Sequence, residues 1–310
     1  MLGATPNMTI IDLEYLGQTQ VIASCVLESE TSVAIVDPGP SSAAKVLRSK
    51  LTSRGLSVAD IDAILLTHIH LDHAGATGNL VRENPRIRVF IHPNAARHMV
   101  DPSRLIRSAA RLYGNNMDRF WGEILPVPGS NLRILSDREV VHMAGRTLEV
   151  AYTPGHASHH VSYLDKAAGL AFVGDTAGIR IANGQLVLPV TPPPDIHLED
   201  WYRSLERIQE WRPEQLFLTH FGPATGVTQH FAELRALLRE WGELVRSSLQ
   251  NDETDAKRAS SFARHVGAGL RHKLSEEETA RYTCAAALDL CWYGLARYWR
   301  KQNDSCNAAR

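Results

Sequence analysis

The chain is 310 residues long, with 33 Lys and Arg against 34 Asp and Glu, a formal net charge of −1 and 44% hydrophobic residues. Such a length can bury one large core, or a core with a smaller appended unit. The balanced charge excludes both a global basic field that would draw in nucleic acid and an acidic solvating excess, so a small molecule is the expected partner.

In chain order, the N-terminal segment MLGATPNMTIIDLEYLG carries no Lys or Arg ahead of its apolar residues, which is not the layout of a secretory signal. No stretch reaches the ~18 apolar residues of a membrane span, and a cytoplasmic location without membrane association is expected. Val33–Val36 reads as a strand stopped by Asp37-Pro-Gly-Pro40, because proline cannot continue a ladder. Residues 41–53 read as a helix with Ala44, Val46, Leu47 and Leu51 on one face. Further strands are expected at 61–66, 87–91, 147–152, 161–164, 170–173 and 216–218.

Two regions break this rhythm. Residues 94–125 mix Arg97, Arg104, Arg107, Arg111 and Arg119 with Met99, Leu105, Leu112, Phe120 and Trp121, a helical insertion of the kind that often covers a site. After Pro223 the pattern stays helical to the end. There Ser275-Glu-Glu-Glu278 is a capping box, and Ala285, Leu288, Cys291, Trp292, Leu295 and Trp299 follow at helical spacing as one last helix. Cys25, Cys284, Cys291 and Cys306 form no CxxC pair and are expected as free thiols, with Cys284 and Cys291 seven apart on one helical face.

The run at 61–66 delivers Thr67-His-Ile-His-Leu-Asp-His-Ala-Gly75. His68 and His70 share a face if the strand continues, and Asp72 and His73 follow within the next turn. Imidazole and carboxylate are donors that suit zinc, iron or manganese, and a strand end running into a loop lets them converge. One histidine in an apolar setting is usually a satisfied structural residue. Three with an aspartate inside six residues point to a metal.

HIHLDH resembles the H-x-H-x-D-H signature of the metallo-β-lactamase superfamily, and the other motifs of that family follow in order. They are Asp37 after its strand, His156 in Thr153-Pro-Gly-His, Asp175 in Phe172-Val-Gly-Asp-Thr, and His220 in Leu218-Thr-His-Phe-Gly. The resemblance spans roughly residues 20–225 and is greatest to the glyoxalase II group, where a helical C-terminal domain follows the last motif. It implies a four-layer αββα sandwich in an α/β domain over residues 1–225, with a helical insertion at 94–125, and a helical C-terminal domain at 226–310. It also implies two metal ions, zinc first, with iron or manganese as alternatives. His68, His70 and His156 would bind one, Asp72, His73 and His220 the other, and Asp175 would bridge them. A hydroxide shared by the ions would attack the carbonyl of a thioester or ester, with Asp72, the catalytic residue, orienting it or carrying its proton. Asp37 would hydrogen-bond near the ligands, and His160 matches a family histidine four after His156; a capping or surface role stays open for both. His92, His98, His142, His159, His197, His230, His265 and His272 match no ligand position.

A lactonase is the alternative enzyme, since it shares these ligands. RNA processing is opposed by the absent basic bias, and a one-iron persulfide dioxygenase by the intact Asp72, His73 and His220 set. A different class, a binding or regulatory protein that keeps metals with little turnover, stays open. The proline-rich segment 190–196 reads either as a wall of the site or as a rigid surface connection into a helix near Leu198. Trp121, Tyr113 and Tyr202 either touch substrate or pack. Lys257, Arg258, Arg271 and Lys273 do not match the glutathione-binding pattern of the group, and Trp292, Tyr293, Tyr298 and Trp299 either pack the domain or favour a hydrophobic ligand.

Overall fold

The computed structural model describes residues 8–181 and 186–308, which build two six-stranded sheets packed face to face. The first sheet runs in chain order through β1 (Met8–Asp12), β2 (Ala23–Glu28), β3 (Val33–Val36), β4 (Ile61–Leu65), β5 (Arg88–Ile91) and β6 (Leu132–Ile134). Its first three strands pair antiparallel and β3 to β6 pair parallel, so each later connection has to cross a face of the sheet. The second sheet runs through β7 (Val140–Met143), β8 (Arg146–Tyr152), β9 (Val161–Asp165), β10 (Leu170–Phe172), β11 (Gln215–Leu218) and β12 (Gly222–Ala224), antiparallel except at β10–β11.

Strand alternation sorts the side chains into three cores. In β3, Ala34 and Val36 join Leu65, Val150, Phe172 and Phe217 between the sheets, while Val33 and Ile35 point outward to the helices. Both faces are buried, which is why these strands read as continuous apolar runs. Against the outer face of the first sheet lie α1 (Ala44–Thr52), α2 (Leu71–Ala74), α3 (Thr77–Glu83) and the insertion, made of α4 (Pro93–Val100), α5 (Ser103–Tyr113) and α6 (Met117–Trp121). The second sheet is covered by α7 (Leu198–Glu210), α8 (Val227–Ser248), α9 (Asp255–Lys273), α10 (Glu276–Ala285) and α11 (Leu288–Ala308). Trp201, Phe231, Trp241 and Trp292 share one core cluster with Ala171, Leu216 and Leu218, so the C-terminal helices pack directly onto the sandwich. The fold is the expected αββα sandwich with a helical C-terminal region. No helix among the described residues is long and apolar enough to cross a membrane.

Two local expectations need correction. The strand expected at 61–66 ends at Leu65, so His68 and His70 sit in the following loop and Asp72 and His73 on the first turn of α2. The single last helix is two helices, α10 and α11, broken where Ala286 turns extended (φ −117°, ψ 98°). The cause is tertiary. Thr191 Oγ1 donates to the Cys291 carbonyl at 3.1 Å, and a Cβ at Gly294 would meet the Thr191 carbonyl oxygen at 2.0 Å. Docking α11 so closely on this segment overrides the uniform helix propensity of the alanines at 285–287. Cys284 and Cys291 therefore belong to different helices. Both are free thiols, as is Cys25; the side chain of Cys306 lies outside the described residues.

Candidate metal centre

Every expected ligand lies in a loop or turn just past the carboxyl end of a strand. His68, His70, Asp72 and His73 follow β4, His156 follows β8, Asp175 follows β10, and His220 follows β11. All seven residues meet, in two groups whose ligand atoms each lie within 4.8 Å of one another: His68, His70 and His156, and Asp72, His73, Asp175 and His220. Asp175 faces both. Its Oδ2 is 3.5 Å from His156 Nε2, and its Oδ1 is 3.2 Å from His73 Nε2 and 3.7 Å from His220 Nε2. His68, His73, His156, Asp175 and His220 are buried, and His70 and Asp72 are half-buried.

The hydrogen bonds behind these rings fix which nitrogen carries the proton. His156 Nδ1–H donates to the Val190 carbonyl at 2.7 Å and His220 Nδ1–H to the Val21 carbonyl at 2.8 Å. His73 Nδ1–H donates to Asp37 Oδ2 at 2.8 Å. Thr67 Oγ1 gives its proton to Asp37 Oδ2 at 2.7 Å, so it accepts from His68 Nδ1–H at 3.1 Å. In their neutral forms these four rings, His68, His73, His156 and His220, turn an Nε2 lone pair inward. His70 Nδ1 lies 3.0 Å from His68 Nε2 and 2.9 Å from His156 Nε2, and a single proton on it serves only one of those contacts. In the other group His73 Nε2, His220 Nε2 and Asp175 Oδ1 are buried without a hydrogen-bond partner. Lone pairs and carboxylate oxygens crowded together in a largely buried site call for cations at their centre, and this donor set could hold two ions.

Charge tells the same story. Burial, reinforced by the neighbouring His156, pulls His70 down to about 4, and burial with nearby histidines pulls His68 well below the usual imidazole range. Burial also opposes a charge on His73, but Asp175, Asp72 and Asp37 outweigh it and hold its pKa well above the ordinary value. Asp72 resists burial through His73 and His220 and drops to about 2. The second group is thus a net electronegative pocket that stabilises positive charge.

Sequence reasoning placed Asp37 near the ligands, and the structure makes it a junction. Its carboxylate is fully buried and accepts from Thr67 N–H, Thr67 Oγ1, His73 Nδ1 and Thr219 Oγ1 at 2.7–2.8 Å, tying loops of both sheets together. Thr67 and Thr219 were missed, because nothing in their spacing marks them. His160 is buried, bonds Thr153 Oγ1 at 3.0 Å and stacks on the His68 ring, centroids 5.0 Å apart, so it is no surface cap. Gly174 lets the fourth loop pass: at φ +44°, a Cβ there would lie 2.5 Å from Thr67 Oγ1 and 2.6 Å from His160 Nε2. His159, read as ordinary, lies with its ring 6.2 Å from that of His70.

A cavity of about 260 Å³ opens onto His70, Asp72, His156, Asp175 and His220. The insertion supplies Leu105, Leu112, Tyr113 and Trp121 to its wall, the proline segment supplies Pro192, Pro193 and Pro194, and the α10–α11 joint supplies Cys284, Ala285 and Leu290. The proline segment is therefore a wall of this cavity. Trp121 and Tyr113 line it and Tyr202 does not. Trp292 and Tyr298 are core residues of the C-terminal helices.

Residues 19–221 match the sequence model of the metallo-beta-lactamase superfamily. The chain belongs to this superfamily. A metallo-beta-lactamase fold-containing protein of Sulfurisphaera tokodaii is 29% identical over 165 residues, 52% of this chain and 61% of that protein. A hydroxyacylglutathione hydrolase of a Synechococcus species is 32% identical over 145 residues, 47% of this chain and 44% of that enzyme. The chain thus spans about half the length of the curated relatives it matches. The crystal structure of a metallo-beta-lactamase family protein from Thermus thermophilus superimposes with a TM-score of 0.69 at 25% identity, covering 93% of each chain. Members of the superfamily bind a metal ion pair, and hydrolases are among its relatives here.

Proposed function

We propose that this metallo-β-lactamase superfamily protein is a dinuclear metal-dependent hydrolase of carboxylic thioesters or esters. The observation that carries the reading is the pair of donor groups that Asp175 faces, with Asp175 and His220 carrying unpartnered buried atoms and lining one cavity. His68, His70 and His156 would hold one ion and Asp72, His73 and His220 the other, with Asp175 between them; zinc suits the imidazole-rich set. Bound there, the ions supply Lewis acidity toward a substrate carbonyl and an activated water. The chain does the rest. The carbonyls of Val190 and Val21 and the Asp37 carboxylate hold the histidine tautomers that present bare Nε2 atoms. Asp72 is the ionised carboxylate open to the cavity, 3.3 Å from His220 Nε2, and is placed to accept the proton of the attacking water and pass it to the leaving group. Apolar walls exclude bulk water.

We read residues 1–225 as the metallo-β-lactamase domain and 226–310 as a helical unit that completes the pocket, because α10 and α11 contribute to its wall. A lactonase remains the second reading, favoured by the same carbonyl-facing geometry. The test is metal analysis of purified protein together with turnover of thioesters, esters, lactones, β-lactams and phosphodiesters, before and after chelation. The reading expects close to two transition-metal ions per chain and chelator-sensitive thioester or ester hydrolysis. A stoichiometry of one that is unchanged in His220→Ala, or lactones as the only substrates turned over, would replace it.

A further inference from the structure

The wall of the cavity carries its own message about the substrate. Among the described residues, and apart from the candidate metal ligands, its lining contains no Asp, Glu, Lys or Arg. The polar groups that remain are neutral: burial and the nearby Asp72 push Tyr15 and Tyr113 above the ordinary phenol range, and burial raises Cys291 to about 11. The insertion is rich in arginine, yet Arg97, Arg104, Arg107, Arg111 and Arg119 are all exposed and none reaches the lining. Lys257, Arg258, Arg271 and Lys273 are likewise outside it, and Arg258 is engaged with Asp255 at 2.9 Å. A substrate carboxylate or phosphate bound against this wall, away from the metal groups, would lose its hydration and find no Lys or Arg to pair with.

Resting on the hydrolase reading above, we propose that the substrate presents an uncharged hydrocarbon chain to this wall, as a medium-chain acyl or alkyl ester or thioester. The chain lies against Leu105, Leu112 and Trp121 of the insertion and Ala285 and Leu290 of the α10–α11 joint, while the carbonyl sits at the metal groups. Each methylene buried in the transition state then raises kcat/KM by about fourfold until the cavity is filled. An anionic chain end forfeits that gain.

The test uses the full metal-loaded chain with N-acetylcysteamine thioesters of acetate, butyrate, hexanoate and octanoate, their ω-carboxylate counterparts, and S-lactoylglutathione. The expected result is kcat/KM climbing with chain length and falling at least tenfold, roughly, when the chain ends in a carboxylate. A second arm is Leu112→Arg, which puts a cation into the wall and is expected to raise kcat/KM for the carboxylate-ended substrates while lowering it for hexanoyl. Calorimetric binding of hydrolysis-resistant hexyl and ω-carboxypentyl thioethers needs no turnover and is expected to favour the uncharged analogue. Turnover that ignores chain length, or that favours S-lactoylglutathione or the carboxylate-ended substrates, overturns the inference and leaves the hydrolase intact. If no ester, thioester or lactone turns over, the hydrolase reading fails instead. Preference of the thioether binding for the anionic analogue then sinks the inference on its own.

Discussion

Asp37→Asn is the sharpest probe of the metal centre because it keeps the volume of the side chain and changes only its hydrogen-bonding sense. Oδ2 alone accepts from Thr67 Oγ1, His73 Nδ1 and Thr219 Oγ1, and Oδ1 accepts from Thr67 N–H. An amide nitrogen in the Oδ1 position faces the Thr67 N–H donor head on. In the Oδ2 position it faces His73 Nδ1–H, and relief requires the other tautomer, which puts a proton on the Nε2 that should stay bare. Either arrangement forfeits a charge-assisted hydrogen bond of about 1.5–3 kcal/mol, which corresponds to a loss of roughly 10–100-fold in affinity for the ion of the Asp72, His73, Asp175 and His220 group. Zinc titration of the metal-free protein by calorimetry, with chelator competition for the tighter ion, measures this directly, and thermal unfolding of the metal-free forms separates it from folding. A folded Asn variant that binds both ions with unchanged affinity would refute the tautomer argument.

Other perturbations follow from the same geometry. Asp72→Asn should lower kcat by roughly 10²–10⁴ while leaving Tm nearly unchanged, since the amide keeps the shape but takes no proton; undiminished turnover in the folded variant removes Asp72 from the proton path. His230 is buried, donates from Nε2 to the Ala177 carbonyl at 2.7 Å, and has its pKa pulled down to about 4 by burial. Between pH 6.5 and 4 the unfolded chain therefore binds a proton that the folded one refuses, so stability drops as pH falls through this window, by on the order of 3 kcal/mol for this residue. In His230→Gln, which can keep the bond to Ala177, denaturant unfolding across this pH range should show a shallower decline. Gly174→Ala should cost about 1–3 kcal/mol of stability and weaken metal binding, because the new methyl collides with Thr67 and His160 at a positive φ; a variant that matches the parent in both measurements contradicts the packing described.

The candidate ligand set was legible because four of its residues crowd into 68–73 and the other three stand in motifs that resemble those of the superfamily, each two to four positions past the end of a strand. What holds the ligands was mostly not legible. Asp37 and Thr219 are 182 positions apart, and the carbonyls of Val21 and Val190 bear no side-chain signature at all. Strands β3, β4, β5, β8, β9, β10 and β11 announced themselves as apolar runs. β6 and β7 expose Ile134 and Val140, and β12 is three residues containing a proline, so their pairing supplies what their composition does not. β1 and β2 were also passed over; Met8–Asp12 mixes buried, half-buried and exposed residues, and β2 contains a serine whose hydroxyl donates to the Val36 carbonyl of its neighbour. The break between α10 and α11 likewise depends on Thr191, a hundred residues away.

The wall of the cavity and the loops that gather the candidate ligands are drawn from different stretches of chain. Apart from the ligands and Leu71, the lining comes from the N-terminal loop, the insertion, the proline segment and the α10–α11 joint. Substitutions in α5, α6 and the α10–α11 joint leave untouched the Val21 and Val190 carbonyls and the Asp37 carboxylate that hold the tautomers, so on the hydrolase reading diet can drift while the reaction stays put. On that reading, two descendants of such a chain would still align through their histidine loops after their substrates had parted company, and a library meant to redirect turnover belongs in α5, α6 and the α10–α11 joint.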